Sequence, residues 1–215
     1  MNSVDLVDKM SYAEMVHLRE ALDKRFRAFD GRKILAFYSP YPSSGKTTAA
    51  KWLTHTWRYF GRVVSFSEPL KDMVKSLYLY HDGQSLFDYN KIKNEPMLEF
   101  DGDTPRDIMC LLGKTLRDHY GQRIFADLAS MCILNSAAEN VVIDDLRLPE
   151  EYDMLAGFGA KFVRIVVPDR KIITTDTEGR LEDHHFDAKI VNEMINIHDF
   201  YQDLVKVVTQ LWPQD

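Results

Sequence analysis

The sequence predicts an α/β protein: a doubly wound, mostly parallel sheet flanked by helices. Three observations lead there. Short runs of strand length (Ile34-Leu-Ala-Phe37, Arg62-Val-Val-Ser-Phe66, Val141-Val-Ile143, Phe162-Val-Arg-Ile-Val-Val167) alternate with longer stretches whose apolar residues recur at helical spacing. The central runs are apolar throughout, as strands covered on both faces are. Strand and helix patterns succeed one another along the chain, which is the order of a parallel sheet with crossover helices.

The elements follow in order. Residues 1–31 read as an amphipathic N-terminal helical extension. Ser11-x-x-Glu14 is a capping-box pattern, and Met15, Leu18, Leu22 and Phe29 make an apolar stripe. Residues 32–215 read as the main domain. Lys33–Ser39 is its first strand, and a helix runs from Thr47 to Tyr59, stopped by Gly61. A second strand, Arg62–Phe66, leads through Ser67-Glu-Pro-Leu-Lys-Asp72 into a helix carrying Leu70, Met73, Val74 and Leu77. Residues 79–104 are polar and irregular, an insertion beside the core. Thr104-Pro105 opens the next helix, Thr as N-cap and Pro at the first position, with Ile108, Leu111, Leu112, Thr115 and Leu116 inward. Gly121 breaks it. Ile124, Leu128, Met131 and Cys132 mark another helix, to about Ala138.

Asn140–Arg147 is a buried-type strand ending in two carboxylates, and Pro149 starts a helix that stops at Gly157-Phe-Gly159. Lys161–Pro168 is the fourth strand. Residues 169–187 are charged and poor in core residues; in a nucleotide enzyme they would form a flap carrying Arg170, Lys171 and Arg180, and otherwise a solvated loop with no role. Ala188–Asn192 is a last short strand. Phe200, Leu204, Val207, Val208 and Leu211 form the inner face of a C-terminal helix.

Composition narrows the function classes. Of 215 residues, 45% are hydrophobic and 28% charged, ordinary for a soluble domain. A net charge of −6 argues against a dedicated duplex-DNA binder. No apolar run approaches the roughly 20 residues of a membrane span, and the N-terminal residues lack the basic-then-apolar order of a signal peptide. Cys110 and Cys132 lie in apolar helical patterns and read as buried thiols of a reducing, cytoplasmic compartment. Adjacent His184 and His185 have no third ligand at zinc spacing.

The chemistry concentrates in Tyr38-Ser-Pro-Tyr-Pro-Ser-Ser-Gly-Lys-Thr-Thr48. Strand, loop ending Gly-Lys-Thr, then helix is the setting of a P-loop. Ser43, Ser44, Gly45, Lys46, Thr47 and Thr48 would cradle phosphates, with Lys46 on the β/γ-phosphates and the Thr47 hydroxyl on Mg²⁺. Pro40 stands where the consensus has its first glycine. The plainer alternative is a polar turn whose Ser43 or Ser44 merely caps the helix. Asp144 or Asp145 at the strand end suits the metal-side carboxylate. Lys71, Arg106, Arg117 and Arg147 fall at strand and helix ends, and such spaced cations suit a triphosphate donor together with an anionic acceptor.

Four blocks together resemble the bacteriophage deoxynucleoside monophosphate kinase family: Ser44-Gly-Lys-Thr-Thr48, Glu68-Pro-Leu-Lys-Asp72, Thr104-Pro-Arg-Asp-Ile-Met-Cys-Leu-Leu-Gly113 with Arg117, and Val141-Val-Ile-Asp-Asp-Leu-Arg147 with Glu150. They occur in the family's order over roughly residues 33–210. The resemblance implies a P-loop kinase fold with an acceptor-side insertion at 79–104 and a flap at 169–187. It implies transfer of the ATP γ-phosphoryl group, with Mg²⁺, to a deoxynucleoside monophosphate. Carried over by position, Lys46 and Thr47 serve donor phosphates and metal, and Asp145 matches the strand-end acid. Lys71, Arg106, Arg117 and Arg147 serve the acceptor, with Arg147 and Asp72 as further catalytic candidates. Thr47 stands where the family often has an acidic residue. Val167 stands where it has an arginine, for which Arg170 is the substitute. The partners expected are ATP and a deoxynucleoside monophosphate, with no nucleic acid and no membrane, and a homodimer is left open. The compartment implied is the cytoplasm, that of the host if the chain is phage-encoded. Two other readings stand beside this one: a P-loop kinase acting on hydroxymethylated bases in phage DNA, and a non-catalytic nucleotide-binding protein.

Overall fold

Five parallel strands form one sheet in the order β2-β3-β1-β4-β5. The computed structural model describes residues 31–82, 89–172 and 177–213; the N-terminal helical extension expected before residue 31 lies outside them. The strands are β1 (Lys33–Tyr38), β2 (Arg62–Val64), β3 (Asn140–Leu146), β4 (Lys161–Val166) and β5 (Ala188–Val191). The helices are α1 (Lys46–Lys51), α2 (Glu68–Asp82), α3 (Tyr89–Ile92), α4 (Pro105–Tyr120), α5 (Ile124–Leu134), α6 (Pro149–Gly157) and α7 (Ile197–Leu211). No helix among the described residues is long and apolar enough to cross a membrane.

The period of two along β1 builds a core on each face of the sheet. Ile34, Ala36 and Tyr38 point one way, joining Phe125, Ala129 and Ile133 of α5, Leu155 of α6 and Leu70 of α2. Leu35 and Phe37 point the other way, joining Ala49 and Ala50 of α1 and Phe200, Leu204 and Val208 of α7. The sheet is therefore covered on both sides, as its uninterrupted apolar runs require. A smaller cluster of Val74, Met97 and Ile108 joins the 79–104 segment to α2 and α4.

Several local expectations are corrected. The helix after the first loop changes to a π-helical turn at Trp52–Thr56 and ends before Tyr59. There the Thr54 hydroxyl bonds back to the Ala50 carbonyl, competing with the helical ladder, and Arg58 turns left-handed at φ 56. The inner face of α5 is Phe125, Ala126, Ala129 and Ile133, leaving Leu128 and Met131 about 40% exposed. Leu111 of α4 also points outward. Both cysteines are exposed rather than buried. Cys110 faces a cleft and Cys132 a second groove, where neither helix packs on the sheet.

The capping expected at α4 is present in full. Thr104 Oγ1 accepts the Asp107 N–H, and the Asp107 carboxylate accepts the Thr104 N–H. Strand β3 holds a feature with no sequence signal. Its parallel register with β1 slips by one residue between Ala36↔Ile143 and Tyr38↔Leu146, so the extra residue falls within Asp144-Asp145.

Candidate active site

β1 lies between β3 and β4, where the crossovers diverge, and its carboxyl end opens onto a cleft of about 860 Å³. Open α/β sheets receive ligands at that end. The 39–45 loop forms the floor. Its left-handed positions are Ser43 (φ 54) and Gly45 (φ 99), so the buried Pro40 enters the loop without needing glycine's freedom. Gly45 is required for space as well. A Cβ there would meet Asn192 Nδ2 at 2.8 Å and the Phe200 ring at 3.4 Å.

Lys46 opens α1 with its side chain buried beneath the loop. Its Nζ sits 3.4 Å from the Ser39 carbonyl, the Tyr41 carbonyl and Ser44 Oγ, long distances that hold the ammonium loosely. Burial, helped by the nearby Arg147 charge, lowers its pKa from 10.5 to about 8. A buried cation so poorly compensated is poised to gain from an anion in the cleft.

The two aspartates at the end of β3 divide. Both oxygens of Asp145 are engaged: Oδ1 accepts the Phe66 N–H at 2.8 Å, and Oδ2 accepts the Ser67 N–H at 3.0 Å and Ser67 Oγ at 2.6 Å. Asp145 thus pins the turn between β2 and α2. Asp144 instead accepts hydrogen bonds from the Ser65 and Thr47 hydroxyls. Burial and then the Asp145 charge push its carboxyl above the usual range. The carboxylate beside Thr47 is therefore Asp144, while Asp145, which the resemblance singles out, lines the same cleft with both oxygens engaged by the turn.

Ser43, Ser44, Gly45, Lys46, Thr47 and Thr48 all line the cleft, as expected. Lys71, Arg106 and Arg147 also line it, joined by Lys93, which sequence reasoning missed. Lys93 lies in the irregular 79–104 segment, where its carbonyl accepts the Arg106 N–H at 3.1 Å. Arg147 pairs with Glu178 at 2.8 Å across the mouth. Glu151, at the start of α6, braces the Arg147 backbone. Its Oε2 accepts the N–H groups of Arg147 and Leu148, and burial pushes its carboxyl up to about 8.

Three expected site residues are not brought to the cleft. Arg117 folds back along α4 onto the Phe125 ring, 5.5 Å from its centroid. Asp72 does not line the cleft itself but the adjoining groove beside β2, which shares Thr47, Lys71 and Asp144 with the cleft. Arg170 donates to the Pro42 carbonyl at 2.9 Å, holding the loop from outside. Lys171 and Arg180 are exposed. The segment expected to be a basic flap instead presents Thr177 and Glu178 to the cleft, and it is anchored by the fully buried Leu181 and by the Tyr38 hydroxyl donating to Glu182.

No protein-family model matches the chain, and no curated protein matches it. The geometry carries the functional argument alone.

One wall remains. After β5, Asn192, Met194, Ile195, Asn196 and Ile197 form a rim on the cleft together with Phe200 of α7. Met194, Ile195 and Ile197 are each at least half exposed. The cleft thus combines the loop with Lys46, an apolar rim, and the cations Lys71, Lys93, Arg106 and Arg147 among the carboxylates Asp144, Asp145 and Glu178.

Proposed function

We propose that the protein is a P-loop kinase that transfers the γ-phosphoryl group of ATP to a deoxynucleoside monophosphate, giving ADP and the diphosphate. The observation that carries this reading is one cleft whose lining gathers Lys46 and the first turn of α1 with four further cations, Lys71, Lys93, Arg106 and Arg147. One phosphate loop answers to a nucleoside triphosphate. Four further cations in an acidic protein answer to a second anion.

The chain's own residues then divide the work. Lys46, released from three loose contacts, places its charge against the donor phosphates. Lys71, Lys93 and Arg106 orient the acceptor phosphate so that its oxygen attacks the γ-phosphorus as the bond to the β–γ bridging oxygen breaks. Arg147, oriented by Glu151 beneath and Glu178 beside it, faces the charge between the two substrates. The pair Asp144 and Thr47 fits Mg²⁺: the carboxylate is buried and accepts a hydrogen bond from the Thr47 hydroxyl, so the two oxygens lie side by side. Mg²⁺ characteristically takes one or two carboxylates and completes its shell with phosphates and water. Bound there, it would neutralise phosphate charge.

The test is incubation with MgATP and each deoxynucleoside monophosphate, canonical and base-modified, followed by separation of the products. ADP and a deoxynucleoside diphosphate should appear in equal amounts. No diphosphate from any acceptor would overturn the reading.

A further inference from the structure

The rim and the phosphate loop are joined by hydrogen bonds through Asn192. Asn192, the first residue after β5, is buried, and its amide is used at both ends. Nδ2 donates to the Ser44 carbonyl at 3.0 Å, and Oδ1 accepts the Met194 N–H at 3.0 Å. The first bond sets the orientation of the Ser44–Gly45 peptide. With its carbonyl turned to Asn192, the N–H on the same planar unit points the opposite way. The second bond supports Met194, which holds a left-handed φ of 61 with a full side chain. Such a conformation persists only where its surroundings enforce it. The packing is close. No side chain but hydrogen fits on Gly45 between the Asn192 amide and the Phe200 ring.

We infer that Asn192 is a positioning residue that couples the two walls of the cleft, so that a base on the apolar rim and phosphates on the loop bind cooperatively. The inference rests on the nucleotide reading above and adds a mechanism for recognising the donor as one molecule. The rim alone offers Met194, Ile195 and Ile197, exposed apolar groups that suit the flat face of a nucleobase. The loop alone offers cationic and N–H groups to phosphates. Neither wall contacts both halves of the ligand. Asn192 is bonded to both walls, and a shift of the Ser44 carbonyl moves the support of Met194 with it.

The experiment is a double-mutant cycle read with two probes, MgATP and magnesium tripolyphosphate, by titration calorimetry on the full chain. Ile195 is 85% exposed, so Ile195→Ser leaves the fold intact. It should weaken MgATP about tenfold and leave tripolyphosphate unchanged. Asn192→Asp keeps the acceptor for Met194 and removes the donor to Ser44. It should weaken both probes, MgATP the more, and in its background Ile195→Ser should cost less than twofold. Additive effects, or equal losses for the two probes in Asn192→Asp, would overturn the coupling while leaving the nucleotide reading intact. A wild type that binds neither probe would overturn both. A second measurement needs no variant: tripolyphosphate, which cannot reach the rim, should slow hydrogen exchange at the Met194 amide. Unchanged exchange there, with tripolyphosphate bound, would also sink the coupling.

Discussion

Lys46→Met should stabilise the ligand-free protein while abolishing its response to ATP. The magnitude follows from burial. A lysine pKa lowered from 10.5 to about 8 means the ammonium is disfavoured in the folded state, and at about 1.4 kcal/mol per pH unit the penalty is about 3 kcal/mol. Methionine fills nearly the same volume without the charge. The three contacts it gives up are all 3.4 Å long and offset little of that gain. We expect Lys46→Met to be about 1–3 kcal/mol more stable than wild type in urea unfolding at pH 7. The sign with pH is fixed by linkage. Below pH 8 both folded and unfolded wild type carry the proton, so the penalty is complete. Between pH 8 and 10.5 the unfolded chain keeps a proton that the folded chain has lost, and wild-type stability rises with pH. The advantage of the variant should therefore shrink from pH 8 upward and vanish near pH 10.5. Saturating MgATP at a hundred times its dissociation constant should add about 2.7 kcal/mol to wild type and nothing to the variant. A variant less stable at pH 7, or a gap unchanged between pH 7 and 10, would refute the reasoning.

The remaining predictions separate residues that the sequence could not. Asp144→Asn should remove Mg²⁺-dependent turnover with little loss of stability. Asp145→Asn should instead cost roughly 2–3 kcal/mol in urea unfolding, because an amide NH₂ replaces one of the oxygens holding Phe66 and Ser67. Gly45→Ala should destabilise by at least about 1–2 kcal/mol, since the left-handed backbone and the Asn192 amide both oppose a Cβ; calorimetry should find no MgATP binding. Arg117→Ala should lose only the ring contact with Phe125, about 0.5–1 kcal/mol, and Asp72→Asn should leave KM and kcat within twofold in the coupled kinase assay. Glu151→Gln should be nearly neutral at pH 7, where the buried acid is protonated. Glu151→Ala strands two N–H groups and should cost roughly 2–4 kcal/mol in thermal unfolding.

The sheet was legible because its strands are apolar on both faces, and because Gly121, Pro149 and the Thr104-Pro105 cap punctuate the chain where local chemistry demands it. The loop residues 43–48 were legible because the order strand, loop, helix by itself puts them at the carboxyl end of β1. Side-chain direction was harder. In α5 nearly every position is apolar, so periodicity does not select Phe125 and Ala129 over Leu128 and Met131. Arg106 and Arg117 lie about three turns apart on one helix. Arg117 is held away from the cleft by Phe125, a residue of another helix, while Arg106 lines it. Lys93 and Asn192 were invisible because a single lysine or asparagine in a loop has no pattern, and only folding brings them to the cleft.

The slip between β1 and β3 acts like a change of reading frame written in space. Up to Ile143 each residue of β3 keeps strict alternation with its neighbour; past the extra residue Leu146 returns to the same core as Ile143. Alternation alone would have sent it to the opposite face. The inserted position lets two consecutive carboxylates serve different masters, one the β2–α2 turn and one the Thr47 hydroxyl. It also sets the phase of everything that follows, so Arg147 emerges at the cleft mouth and Glu151 beneath it. Deleting either aspartate would therefore do more than remove a charge. It would restore the frame, leaving Leu146 opposite Tyr38 in the Ile143 core by plain alternation, and the one remaining carboxylate could no longer serve both the β2–α2 turn and the Thr47 hydroxyl.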